Sequence, residues 1–422
     1  MSFPFKVVEH TLPGQHIRES PLSIKNARQE TALKIAIKQY IPNDQPTPAA
    51  EDAVTIIGVP GNGSPKETLE PLWEDLYAQL QKQGVPLRGI WVADVTNQGA
   101  SGVLNEDVLG DQTNWYDHSR DLLHMVNHFR DEMPRPIIGV AHSMGCTQLV
   151  NLSLIHPRLL STLILFDPVL PHARFGYNPA SLSSHRRDLW PSREKATESL
   201  TKSLRSWDPR ARDRYIRFGL RAVPTRLYNP ATDETVPADA VTLTTSKHQE
   251  TWSASIGNLE PQSAGLDSHL LPDWDRETER PFLFSRPEMW AATRNLPYIR
   301  PSVFWVFGGQ SYLSTAEEQT YKMRFTGTGI GGSGGAAEGM VEKAVLEKGG
   351  HNIVFEDVEW SAEVAGDWIR RWYSKHLTAE KFWRGYRSRN SDGEMLRLSE
   401  EAMKAAKMPV GTRRKDKAES KI

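Results

Sequence analysis

The chain has 422 residues, enough for one large domain with an insertion or for two domains of ordinary size. Its 51 basic and 52 acidic residues nearly cancel, so no global field favours nucleic acid or an anionic membrane surface. The single cysteine, Cys146, excludes an internal disulfide and any zinc site built on several thiolates, and it points to a reducing intracellular compartment.

Mean hydropathy is low, at −0.52, yet 13 Trp and 13 Phe require burial, which predicts a real core carrying long polar loops. No run approaches the roughly 18–20 apolar residues of a spanning helix. The start, Met1-Ser2-Phe3-Pro4-Phe5-Lys6, has neither the basic nor the apolar region of a secretory signal, so a soluble, non-secreted protein is expected.

In chain order, residues 31–40 alternate apolar and polar, the pattern of a half-buried antiparallel strand. The runs Val54–Val59, Ile90–Ala93, Ile137–Ala141 and Leu160–Phe166 are almost continuously apolar, as in parallel strands covered on both faces. Between them, Leu69, Leu72, Trp73, Leu76 and Leu80 fall on one helical face that Gly84 is placed to end. Further helices are predicted over 116–131 and 145–154. This alternation argues for a doubly wound α/β domain. The pattern breaks after Asp167-Pro168, where Arg, Ser, Pro and Trp dominate up to about residue 300. The sheet resumes at Ser302–Phe307 and Lys343–Leu346, and a closing helix is predicted over Trp360–Trp372. The predicted organisation is therefore a core in two parts, 1–167 and 301–387, an inserted and mainly helical cap, 168–300, and a charged tail, 388–422, read as a loose helix followed by disorder.

The most informative segment is Ala141-His142-Ser143-Met144-Gly145, between a buried strand and a helix. It differs by one substitution from the G-x-S-x-G elbow, in which small residues two before and two after let a serine sit on a tight turn at a helix N-terminus. A serine hydroxyl needs a base, and in this arrangement a histidine follows the last strand. His351, in Gly349-Gly350-His351-Asn352, stands there. His142 is read as structural. The carboxylate partner commonly follows the next-to-last strand, but Phe307–Ser314 contains none. Asp167, at the C-terminal end of the preceding strand, is the first choice, with Glu317 and Glu318 as rivals. Two backbone donors are expected for an oxyanion, one from Met144 and one from Pro60-Gly61-Asn62-Gly63-Ser64, with Asn62 ahead of Ser64. Gly327-Thr328-Gly329-Ile330-Gly331-Gly332 fits G-x-G-x-x-G but follows no apolar strand, so nicotinamide binding is rejected, and no metal or nucleotide motif is present. No cofactor is expected.

Several further segments carry a resemblance. Trp91–Asp94, Gln98–Ser101, Leu109-Gly110-Asp111, Trp115, Asp117-His118, the elbow, Arg186–Glu194, Arg300–Val303 and Gly350-His351 resemble the fungal α/β-hydrolases of secondary metabolism, a group that includes a peroxisomal acyl-CoA hydrolase and hydrolases of host-selective toxin clusters. The resemblance covers most of residues 54–375. It implies an α/β-hydrolase fold, a mostly parallel sheet flanked by helices with an inserted helical cap, and a serine hydrolase whose acid lies where Asp167 stands. It departs at Pro60, where relatives tend to carry histidine. The ending Ser420-Lys421-Ile422 is a conservative variant of the peroxisomal S-K-L address and predicts a peroxisomal import receptor as partner. A CoA thioester is then the expected substrate, with Arg186, Arg187 and Arg193 as candidates for its phosphates, and an oxygen-ester or lipid hydrolase or a non-catalytic binding protein of the same fold as the alternatives. Epoxide hydrolase and dehalogenase chemistry are disfavoured, because they need a carboxylate where Ser143 stands.

Overall fold

Buried apolar runs separated by helices assemble, in a computed structural model that describes residues 3–174, 179–260, 265–387 and 391–412, into an eight-stranded sheet. Its strands are β1 (Phe5–Pro13), β2 (Lys34–Pro42), β3 (Val54–Val59), β4 (Leu87–Ala93), β5 (Ile137–His142), β6 (Thr162–Phe166), β7 (Ser302–Gly308) and β8 (Val341–Leu346). The spatial order is β1-β2-β4-β3-β5-β6-β7-β8. β1 and β2 pair antiparallel, as do β2 and β4, and every other neighbouring pair is parallel. Helices α1 (Glu70–Lys82), α2 (Trp115–His128) and α3 (Met144–Ile155) make the connections around the centre. The chain leaves β3 for β4 on one side and returns to β5 on the other, so the order reverses at β3. In open α/β sheets such a reversal opens a crevice at the C-terminal strand ends, here after β3 and β5.

All residues of β3, β5, β6 and β7 are buried, which is why those strands read as unbroken apolar runs. Ile57, Trp91, Leu163 and Trp305 belong to one core cluster with Leu122, Met125 and Leu149 from α2 and α3. The expected half-exposure of β2 is not seen. Lys38, expected on a solvent face, is 6% exposed and ion-paired to Glu67 at 3.1 Å and Glu70 at 3.5 Å, so the polar position at the middle of this strand is covered as well, while Lys34 at its start stays exposed. β1 had no clear sequence signal, because an edge strand with most positions partly exposed shows no clean apolar face.

Segment 168–300 contributes helices Pro179–His185, Arg193–Ser203, Pro209–Phe218, Lys247–Ala254 and Pro287–Arg294. It also carries short strands, with Val241–Leu243 between Leu189–Trp190 and Leu220–Ala222, and Ile256–Gly257 paired with Phe284–Ser285. Strands of two or three residues are too brief for periodicity to reveal. The chain divides into two units, Met1–Trp372 and Tyr373–Ile422. The second holds the C-terminal part of helix Val358–Gly385, longer than the predicted 360–372, and the short helices Asp392–Met395 and Glu400–Ala405. Ser420, Lys421 and Ile422 lie outside the described residues.

Candidate active site

β5 ends at His142, and α3 starts at Met144, leaving Ser143 alone on the turn with φ 55° and ψ −119°. A positive φ is strained for a residue with a side chain, and such strain concentrates at functional turns. The turn is pinned by Ser143 N–H donating to the Phe166 carbonyl at 3.0 Å and by the Val169 N–H donating to the Ser143 carbonyl at 3.3 Å. Gly145 cannot be larger, because a Cβ there would lie 2.5 Å from the Val59 carbonyl oxygen and 2.8 Å from that of Pro60.

The loop after β8 brings His351 over the elbow. Its Nε2 is 2.9 Å from Ser143 Oγ, and its Nδ1 is 2.6 Å from Asp167 Oδ2. Asp167 directly follows β6, is fully buried and also has a positive φ, 41°. Its carboxylate accepts from the Gly308 N–H at 3.1 Å, the Ser311 hydroxyl at 2.5 Å and the Ser314 hydroxyl. Burial alone would raise its pKa, but the hydrogen bonds and charge of His351 and the two serine hydroxyls outweigh it and hold the group below its ordinary value. Ser311 and Ser314 were missed in the sequence. They occupy the stretch after β7 that holds no carboxylate, and they supply donors to an acid housed one strand away.

The rival acids sit elsewhere. Glu318 contacts His172 Nδ1 at 2.8 Å and Lys322 Nζ at 2.6 Å, while Glu317 lies 3.1 Å from His172 Nε2. In the loop after β3, the N–H of Gly63 donates to Gln98 Oε1 at 2.8 Å and that of Ser64 to the Gly61 carbonyl at 3.3 Å, so both are engaged. Asn62 fixes the loop through its side chain, which donates to the Glu250 carbonyl at 2.9 Å and accepts from Gln98 at 2.8 Å. Gln98 belongs to a segment singled out in the sequence, and its place in the fold is to brace this loop. Asn62 and Met144 both line the cavity above Ser143.

That cavity has a volume of about 830 Å³ and is walled by Trp115, Phe282 and Trp290 among others. The cap arginines expected to meet phosphates are occupied within the cap. Arg186 pairs with Glu250 and with the Tyr215 hydroxyl, both at 2.8 Å, Arg193 donates to the Leu220 carbonyl at 3.2 Å, and Arg187 donates to that of Leu189 at 3.0 Å. Arg174 also donates to a main-chain carbonyl, that of Thr278, but it lines the cavity, its guanidinium 3.8 Å from the Phe282 ring centroid, and among the described residues no carboxylate pairs with it. Among the described residues there is also no cluster of three metal-ligating side chains and no helix long and apolar enough to cross a membrane.

A strand-to-helix serine turn at the reversal point of a mostly parallel sheet defines the class: the chain belongs to the alpha/beta hydrolase family, whose model matches residues 56–366, and it is a hydrolase. It is 37% identical to the Type I acyl-CoA thioesterase mpaH' of Penicillium brevicompactum, over 97% of both chains. It is 25% identical to the abhydrolase domain-containing protein AFT2-1 of Alternaria alternata, over 57% of this chain and 85% of that one. The resemblance to fungal hydrolases drawn from the sequence therefore holds. Among solved structures, the peroxisomal alpha-beta-hydrolase Lpx1 of Saccharomyces cerevisiae has the same fold, with a TM-score of 0.65 at 16% identity over 96% of this chain and 95% of that one.

Proposed function

We propose that this hydrolase cleaves acyl-CoA thioesters, with Ser143 as nucleophile, His351 as general base and Asp167 as the acid that orients it. The observation that carries the reading is the unbroken run of hydrogen bonds from Ser143 Oγ through His351 to Asp167, at 2.9 and 2.6 Å. His351 takes the hydroxyl proton as Oγ attacks the thioester carbonyl, and the N–H groups of Met144 and Asn62 receive the oxyanion. Collapse expels the CoA thiolate, which takes the proton from the imidazolium and leaves an acyl-Ser143 ester. Water, deprotonated by His351, then opens that ester to the free acid and restores the serine.

The thioester class is supported by a relative named an acyl-CoA thioesterase that aligns over nearly the whole chain. Residues 168–300 serve as the cap over the acyl-binding cavity, and Arg174, the cavity-wall cation with no carboxylate partner among the described residues, meets the anionic part of CoA. Ser420-Lys421-Ile422 directs the protein to peroxisomes through the import receptor. Matched thioesters and oxygen esters of one acyl group test the chemistry. The thioester should be turned over faster and a fluorophosphonate should label the wild type but not Ser143→Ala, whereas faster oxygen-ester turnover or labelling of the variant overturns the reading. Removing residues 420–422 should move a tagged protein from puncta to cytosol, and unchanged puncta refute the address.

A further inference from the structure

His142 stands beside the nucleophile, takes no part in the proton transfers above and is 2% exposed. Its Nε2 lies 2.8 Å from the main-chain carbonyl oxygen of His351. A carbonyl oxygen only accepts, so Nε2 carries the hydrogen and Nδ1 is left with a lone pair. Burial, reinforced by the charge of His351, pushes the His142 pKa down to about 3, which keeps the ring neutral in this tautomer. The ring is packed between the His351 imidazole, centroids 5.0 Å apart, and Phe355, edge-on at 5.2 Å. On its other side is the loop after β3. A Cβ on Gly61 would fall 2.8 Å from His142 Nδ1 and 3.1 Å from Ser143 Cβ, so only glycine lets that backbone approach. Nδ1 is buried and has no hydrogen-bond partner among the described residues.

We propose that His142 is a positioning residue that clamps the loop carrying the base His351 to the elbow and seats Gly61, and with it the Asn62 N–H, against the nucleophile. The proposal rests on the Ser143–His351–Asp167 reading. The two glycines before His351 give its loop little stiffness of its own, while the ring must hold two contacts of 2.9 and 2.6 Å at once. A backbone shift of about 1 Å can cost about a hundredfold in rate, so an anchor on the His351 carbonyl acts on turnover more than on substrate affinity.

His142→Leu, His142→Gln and His142→Asn test it, with turnover expressed per active site titrated by fluorophosphonate burst so that unfolded protein does not count. Gln places an amide N–H where Nε2 was, whereas the shorter Asn does not reach. The Leu and Asn variants should lose at least about tenfold in kcat, with KM within about twofold, and should react more slowly with the fluorophosphonate, while Gln recovers most of both. Wild-type kcat per site in His142→Leu, or equal losses in Gln and Leu, overturns the proposal, and if Leu does not fold the comparison of Gln with Asn decides in the same way. Ser143→Ala and His351→Ala are assayed alongside. If these are inactive while His142→Leu is normal, the clamp fails and the triad stands, and if they remain active the triad itself fails.

Discussion

Replacing Asp167 by asparagine should cut kcat by about two to four decades while the protein stays folded. Two donors converge on each carboxylate oxygen, the Gly308 N–H and Ser314 hydroxyl on Oδ1 and the Ser311 hydroxyl and His351 Nδ1 on Oδ2. An amide has one oxygen to offer. The Gly308 N–H is part of the main chain and cannot turn away, whereas the serine hydroxyl can rotate and the imidazole can change tautomer. The amide oxygen therefore settles at the Oδ1 position, and the NH₂ faces His351. The imidazole then accepts at Nδ1 and carries its hydrogen on Nε2, against Ser143 Oγ, where it cannot take a proton. Relative to wild type, the active tautomer of the variant lacks the charge-assisted hydrogen bond to the carboxylate, about 1.5–3 kcal/mol, and sets two buried donors against each other, about 1–3 kcal/mol more. At about 1.4 kcal/mol per decade this gives the stated range. Thiol release from an acyl-CoA, with a melting curve on the same sample, measures it, and Glu317→Gln serves as a control that should retain activity. A folded Asp167→Asn enzyme within about threefold of wild-type kcat would refute the tautomer reasoning, since that difference is under 1 kcal/mol.

Gly145→Ala should lower both melting temperature and turnover, because its Cβ would meet the Val59 and Pro60 carbonyl oxygens at 2.5 and 2.8 Å and main chain has to move; normal kinetics would show that the elbow relaxes freely. Arg174→Gln should raise KM for an acyl-CoA by about tenfold, the worth of one charge-assisted contact, and leave the N-acetylcysteamine thioester of the same acid unaffected, while equal effects on both would remove the phosphate assignment. His118 is fully buried, and desolvation lowers its pKa from 6.5 to about 4. The unfolded chain therefore binds a proton that the folded chain refuses, and stability falls as pH drops from about 6.5 towards 4, by about 2 kcal/mol at pH 5. Urea midpoints at pH 7 and pH 5 measure this, and His118→Leu should flatten the dependence; an unchanged slope counts against the buried neutral ring.

What could be read from the sequence was whatever is decided locally. β5, Ser143 and α3 are consecutive, and a strand buried on both faces followed by a small-residue turn leaves its mark within a dozen residues. The glycines before His351 and the position of Asp167 at a strand end are local in the same sense. The contacts that make these residues a site are not local. Ser311 and Ser314 serve a carboxylate on a different strand, Gln98 holds the loop of Asn62, and nothing in a serine or glutamine marks which partner it will find. The same limit hid the charge network behind β2 and β4. Asp94 and Lys66 meet at 2.6 Å in the interior, and Lys38 pairs with Glu67, although charged side chains in a sequence are ordinarily assigned to the surface. His142 lies at the boundary between the two kinds of information. Its place next to Ser143 was plain, but its partners are the His351 carbonyl and Gly61, from two other loops, and only the assembled sheet brings those loops to one ring. The local features mark where a nucleophile can stand, and the long-range ones determine whether the base and the oxyanion donor are held still enough to use it.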